Sequence, residues 1–294
     1  MPAHAEPPRG RIEGPWSARL RAGAPGAPID LAAFDTAATP GALDKDEGET
    51  IFRGTGRTLA RLQEQLFASS TVAAPASGRS VLLVLQGMDT AGKGGVVKKV
   101  AGSVDPQGVA HHAFKAPTAD ERAHPFLWRV EPRLPAPGLI GVWDRSHYED
   151  VLVPRVRGSL SGAAIDERYA TIDAFERRVV EGGTTIVKVF LHLGYEEQRK
   201  RLLRRLDRTD KHWKFSPADV DDRALWPQFQ SAYEAAIGAT NTEIAPWFVV
   251  PADHKWYAAL AVQQLLEEAL TGLELRWPVA PYDVDEQRRR LLAT

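Results

Sequence analysis

The chain has 294 residues, 44% hydrophobic and 26% charged, which excludes global disorder and supplies enough apolar material for a sizeable core. Its 37 basic and 38 acidic side chains give a formal net charge of -1, which argues against wholesale coating of nucleic acid or of an anionic membrane; a polyanion site must be a local patch. The absence of cysteine excludes a disulfide framework, a cysteine zinc site, an iron–sulfur cluster and a cysteine nucleophile.

At about 150 residues per domain the length allows two domains or one large α/β domain. Residues 1–30 are rich in Pro, Gly, Ala and Arg without a steady period, which predicts a tail that drapes over the body or stays mobile. That stretch has no secretory apolar segment, and the longest apolar runs, such as residues 81–85, fall far short of the roughly 18 residues of a membrane span. The expectation is a cytoplasmic protein with no membrane partner. Leu43, Ile51, Leu59, Leu62 and Leu66 recur at helical intervals over residues 43–67, followed by an Ala/Pro/Ser/Gly loop ending at Ser80.

Five short apolar runs then alternate with helical patterns: residues 81–85, 109–114, 139–143, 185–191 and 247–250. Gly182 and Gly183 stop a helix over residues 165–181. Ser216, Pro217 and Asp219 read as N-cap, first-turn proline and first-turn acid of another, and a last long helix runs from near Asp253 to Gly272. Alternation of this kind predicts a three-layer α/β/α sandwich around a parallel sheet.

Directly after the first strand stand Gly87-Met88-Asp89-Thr90-Ala91-Gly92-Lys93-Gly94-Gly95, followed by helical character. Strand, GxxxxGK spacing and helix together predict a phosphate loop: Gly87, Ala91, Gly92, Gly94 and Gly95 turn backbone N–H groups inward, Lys93 reaches the terminal phosphates, and Lys98 adds charge. The usual Ser or Thr after the lysine is replaced by Gly94, which cannot ligate a metal, so the metal must be held otherwise. Asp89, inside the loop, is expected to bind Mg²⁺ or orient an acceptor phosphate. The competing reading is an Asp capping its own turn. The strand over residues 139–143 ends in Asp144 and Arg145, at the sheet edge where functional groups gather. Asp144 fits a second metal-side carboxylate and Arg145 a phosphoryl fork, against the simpler reading of an Arg–Asp pair steadying the loop. His147 is read as a packing or hydrogen-bonding residue, since phosphoryl transfer to a phosphate needs no base.

Residues 199–214 concentrate positive charge, including Arg204, Arg205, Arg208, Lys211 and Lys214. A solvated helix face accounts for about half of these side chains; placed after the fourth strand, the segment can also fold over the loop as a water-excluding lid, expected over roughly residues 195–235. Trp213, Trp226, Tyr233, Trp247, Trp256 and Tyr257 could offer a base a stacking surface, though burial is the default for aromatics. Lys115, Pro117 and Thr118, after the second strand, lie where an acceptor nucleotide could enter.

Gly87 to Gly94, Lys115 to Thr118, Phe126-Leu-Trp-Arg129, Asp144 to Asp150, Lys211 to Pro217, Ala245 to Trp247 and Asp253 to Tyr257 together resemble the polyphosphate kinase 2 family over about residues 31–270. The resemblance implies a P-loop kinase-like fold with a helical lid in a single phosphotransferase domain over residues 31–294. It also implies Mg²⁺, or Mn²⁺ in its place, and transfer of phosphoryl groups between inorganic polyphosphate and adenine or guanine nucleotides, in a homodimer or homotetramer. It matches Asp89, Lys93, Asp144, Arg145 and Arg205 to the family's functional residues. Residues 146–152 look like the subgroup accepting both AMP and ADP, whereas Gly94-Gly95 look like the ADP-using subgroup, and Pro125 stands where an acidic residue is expected. Two other readings are an ATP-dependent nucleoside or nucleotide kinase using the same loop, and a non-catalytic polyphosphate- or RNA-binding protein built on residues 199–214. The paired carboxylates Asp89 and Asp144 disfavour the latter, because they would repel a polyanion unless metal intervenes.

Overall fold

A computed structural model describes residues 14–41, 44–71 and 78–294. The expectations for Leu43, for residues 1–13 of the tail and for loop residues 72–77 lie outside the described residues. The strands are β1 (Ser80–Gln86), β2 (Val109–Ala113), β3 (Ile140–Asp144), β4 (Thr184–His192) and β5 (Trp247–Pro251), matching the five apolar runs to within a residue or two. They pair in parallel in the order β2-β3-β1-β4-β5. The helices are α1 (Trp16–Leu20), α2 (Lys45–Thr71), α3 (Lys93–Ala101), α4 (Ala119–Arg122), α5 (Glu149–Arg157), α6 (Gly162–Glu181), α7 (Tyr195–Leu206), α8 (Ala218–Ala224), α9 (Trp226–Thr240), α10 (Lys255–Gly272) and α11 (Val284–Leu292).

Every residue of β1 is buried, as a parallel strand covered on both faces requires. Because side chains alternate along a strand, Val81, Leu83 and Leu85 join a core with α2, α3 and α10. Leu82 and Val84 join a second core with α5, α6 and α9. These two apolar layers make the predicted sandwich. The described part of the tail lies on the body: Leu20 is buried, Arg21 bridges Phe248 beside β5, and the Trp16 N–H donates to Glu268.

Two boundaries differ from expectation. Phe229, Ala232, Tyr233, Ala236 and Ile237 of α9 are buried core, although the expected lid ran to about residue 235. Pro217, not Ser216, occupies the N-cap of α8, with Ser216 Oγ accepting from the Ala218 N–H at 3.3 Å.

Since all five strands run the same way, their carboxyl ends share one rim. The order switches sides at β1, which lies between β3 and β4, and an open α/β sheet leaves a crevice at such a point. The turn leading from β1 to α3, the turn after β3, and α7 after β4 all open onto it.

Candidate functional site

The loop after β1 depends on its glycines. A Cβ on Gly87 would lie 2.8 Å from the Leu191 carbonyl oxygen, and Gly92, the N-cap of α3, has φ +110°. Thr90 and Arg145 also take left-handed backbone, with φ of 65° and 63°. Such conformations cost of order 1 kcal/mol or more and persist where the surrounding structure enforces them. Here they stand on facing sides of one crevice. Lys93, in the first turn of α3, is buried, and its Nζ donates to Gly87 O at 2.6 Å and Met88 O at 3.4 Å. Burial, then the neighbouring Arg145, draws its ammonium below the usual lysine value; Asp89, Asp144 and Glu149 oppose this.

Arg145 follows β3 directly. Its N–H donates to Leu85 O (2.9 Å) and its Nη2 to Asp89 Oδ1 (3.0 Å). The Arg–Asp pair at this edge therefore spans two loops, whereas Asp144 remains beside the phosphate loop: a Cβ on Gly94 would sit 3.8 Å from Asp144 Oδ2. Glu149 is a third nearby carboxyl, pushed up by burial. The Gln86 amide bridges it to the turn, donating to Glu149 Oε1 (3.0 Å) and accepting from Ser146 Oγ (3.0 Å). His147 is buried, with rings of Trp143 and Phe175 edge-on to it and its Nε2 3.4 Å from Glu176 Oε1. Behind it Tyr148 donates to Glu176 (2.8 Å), and Lys188 Nζ donates to Glu176 (2.6 Å) and to Thr240 O (2.7 Å).

The lid brings cations to the other wall of a cavity of about 700 Å³. Arg201 on α7 is buried and acts as a clamp: Nη1 donates to Thr90 O (2.9 Å) and Ala91 O (3.1 Å), Nη2 to Ala252 O (2.6 Å) and Asp253 O (2.9 Å), and Nε to Glu197 (2.9 Å). One planar fork thus fixes the phosphate loop to the end of β5. Arg205 donates to Lys214 O (2.8 Å) and Asp219 Oδ2 (3.3 Å), folding the lid on itself. Asp210 receives Arg208 (3.0 and 2.9 Å) and Lys211 (2.8 Å), which together hold its carboxyl down at about 2.

The cavity gathers most of the sequence-derived set: Asp89, Ala91, Gly92, Lys93, Gly94, Gly95, Lys115, Asp144, Arg145, Arg204, Arg205, Arg208, Lys211 and Lys214 all line it. Four expected residues do not. Gly87 serves through its carbonyl, which holds Lys93. Lys98 points to solvent and Lys99 lines the cavity instead, because Lys99 lies three residues beyond the lining Val96 and so shares its helix face. Thr118 caps α4 in a reciprocal capping box with Glu121, and the Pro117 carbonyl accepts from Arg122, so both serve local structure. Of the aromatics, Trp213 lines the cavity with 78% of its surface exposed, while Tyr233, Trp247 and Tyr257 are core. Arg201, Asp219 and Lys255 were not singled out as site residues. Arg201 could have been found from its i, i+3 and i, i+4 spacing to Arg204 and Arg205, and Lys255 from its place just after β5.

Among the described residues no three His, Cys, Asp or Glu side chains form a metal cage. The donor set nevertheless fits Mg²⁺, which takes one or two carboxylates and completes its shell with water and substrate phosphate. Asp89 and Asp144 line the cavity beside the phosphate loop, and Gly94 leaves the space against Asp144 open.

A parallel sheet with a phosphate loop at its switch point, carboxylates at the neighbouring strand and a cationic lid defines a phosphate-loop phosphotransferase. The family model for polyphosphate kinase 2 matches residues 45–276, and the chain belongs to that family. It is 45% identical over 222 residues to the AMP/ADP-polyphosphate phosphotransferase of Meiothermus ruber, covering 76% of this chain and 80% of that protein. To the ADP-polyphosphate phosphotransferase of Rhodopseudomonas palustris it is 39% identical over 265 residues, covering 86% and 89%. The crystal structure of polyphosphate kinase 2 from Arthrobacter aurescens TC1 superposes with a TM-score of 0.91 at 48% identity, over 96% of this chain and 98% of that one.

Proposed function

We propose that this polyphosphate kinase moves terminal phosphoryl groups from inorganic polyphosphate to AMP and ADP, forming ADP and ATP, and runs in reverse when nucleotide triphosphate is abundant. The observation that carries the reading is the convergence of phosphate loop, Asp89–Arg145 pair and lid cations on one cavity. A linear polyanion needs several cations, and Arg204, Arg208, Lys211 and Lys214 line the same cavity as the loop.

In the proposed reaction an acceptor phosphate oxygen attacks the terminal phosphorus in line, the bond to the bridging oxygen breaks, and the shortened chain leaves with the electron pair. The loop N–H groups and Lys93 cradle phosphate oxygens, while Arg145 and Arg205 stabilise charge on the transferring group. Arg145, held by Asp89 and by Leu85 O, is preorganised for this. Asp89 and Asp144 would hold Mg²⁺, which when bound neutralises charge between donor and acceptor phosphates. The lid excludes water, whose attack would compete with transfer.

Residues 31–294 act as one phosphotransferase domain in this reading. It extends to guanine nucleotides as acceptors, Mn²⁺ in place of Mg²⁺, and a homodimeric or homotetrameric assembly. The test is incubation with Mg²⁺, long-chain polyphosphate and either AMP or ADP, followed by chromatographic separation of the nucleotides. ADP and then ATP should form; products that appear only when ATP replaces polyphosphate would instead indicate an ATP-dependent kinase.

A further inference from the structure

At the N-terminal end of α7 lies a second cavity, of about 400 Å³, which among the described residues shares no lining residue with the first. Its walls come from three separate parts of the chain: residues 31–36 ahead of α2, residues 192–195 between β4 and α7, and one face of α9. Among the described residues two buried polar atoms there have no partner: His192 Nδ1, on a side chain only 5% exposed whose ring otherwise meets the backbone of Leu31 and Phe34, and Gln230 Nε2. Unsatisfied buried polar atoms are costly, and two on one cavity wall are what a built recognition surface would show.

The charge of the lining restricts the occupant. Among the described residues no lysine or arginine lines this cavity, whereas Asp35 and Glu234 do, which disfavours a phosphate-bearing ligand. Glu234 spends one oxygen on the Leu31 N–H at 3.0 Å. One wall is aromatic: Trp226 packs edge-on to Tyr195 with centroids 5.1 Å apart, and Arg223 covers Tyr195 at 3.4 Å. Flat apolar walls with an amide donor, an imidazole nitrogen and carboxylate acceptors suit a planar ring carrying its own edge donors and acceptors. The volume falls within the range of small-molecule sites. We propose that this cavity is a second ligand site, for an uncharged planar heterocycle of the nucleobase or nucleoside class, independent of the phosphotransfer site.

Adenosine is the probe, titrated calorimetrically into the full chain with and without saturating long-chain polyphosphate, so the result does not depend on any phosphotransfer assay. One adenosine per chain should bind, with affinity unchanged to within about twofold by polyphosphate and lowered about tenfold or more by Gln230→Leu and by Tyr195→Ala. Thermal unfolding of both variants checks that they fold, and Tyr195 is exposed enough for its variant to serve if the other does not. No binding at millimolar adenosine, displacement by polyphosphate, or full affinity in the folded variants would each overturn the proposal.

Discussion

Arg145 Nη2 donates to Asp89 Oδ1 across 3.0 Å, joining the turn after β3 to the phosphate loop that follows β1. Both side chains are partly open to solvent, so the pair contributes at most about 1 kcal/mol to stability. Both residues line the cavity in which, in the proposed reaction, phosphoryl charge would develop. Asp89→Asn and Arg145→Ala should therefore each lower kcat by about 10²–10³-fold while thermal unfolding moves by only a few degrees. Steady-state kinetics beside a melting curve separate the two effects; large destabilisation with proportionate loss of activity would make the pair structural.

Arg201 should behave in the opposite way. Its guanidinium satisfies four backbone carbonyls that join the phosphate loop to the end of β5. Arg201→Ala leaves those acceptors buried and should cost about 3 kcal/mol. Arg201→Lys should recover little, because an ammonium cannot reproduce the planar fork. Urea unfolding of the three proteins reads this directly.

The Lys188–Glu176 pair lies buried beneath the turn that carries Arg145. Burial alone would raise Glu176, but Lys188 and His147 override it and hold the carboxyl below its usual range. Lys188→Met strands a buried carboxylate and should cost about 3–5 kcal/mol, whereas adding Glu176→Leu should return part of that loss. A double-mutant cycle by denaturant unfolding measures the coupling.

Asp210 occupies two of the lid's cations, Arg208 and Lys211. Asp210→Asn releases both to a polyanion, so the KM for polyphosphate should fall several-fold and its salt dependence steepen, with kcat little changed. The carboxyl titrates at about 2, so it stays ionised and the gain should be constant from about pH 5 to about pH 9. A KM that rises on this substitution would show that Asp210 orders the lid rather than competing for its charges.

The five strands were legible because each is a short apolar run, and the phosphate loop because its glycines and lysine are adjacent in sequence. Asp144 and Arg145 were legible for a similar reason: they terminate an apolar run. Linear charge says less about faces. Residues 199–214 read as one basic block, yet folding turns Arg201 inward as a clamp and leaves Arg204 and Arg208 on the cavity wall. The same ambiguity of helical phase exchanged Lys98 for Lys99. Residues 226–235 were expected to belong to the lid, and in the structure Phe229 and Tyr233 of α9 lie in the core shared with α5 and α6. The second cavity, assembled from three segments up to about two hundred residues apart, has no local signature at all.

The most direct test of the account is the rate of ATP formation from ADP and long-chain polyphosphate, with Mg²⁺ present and then chelated, in the wild type and in Lys93→Ala. The account predicts ATP in the wild type, none after chelation, and a fall of about 10³-fold in the variant. A wild type that makes no ATP from polyphosphate, or a folded Lys93→Ala protein that makes it at the wild-type rate, would contradict it.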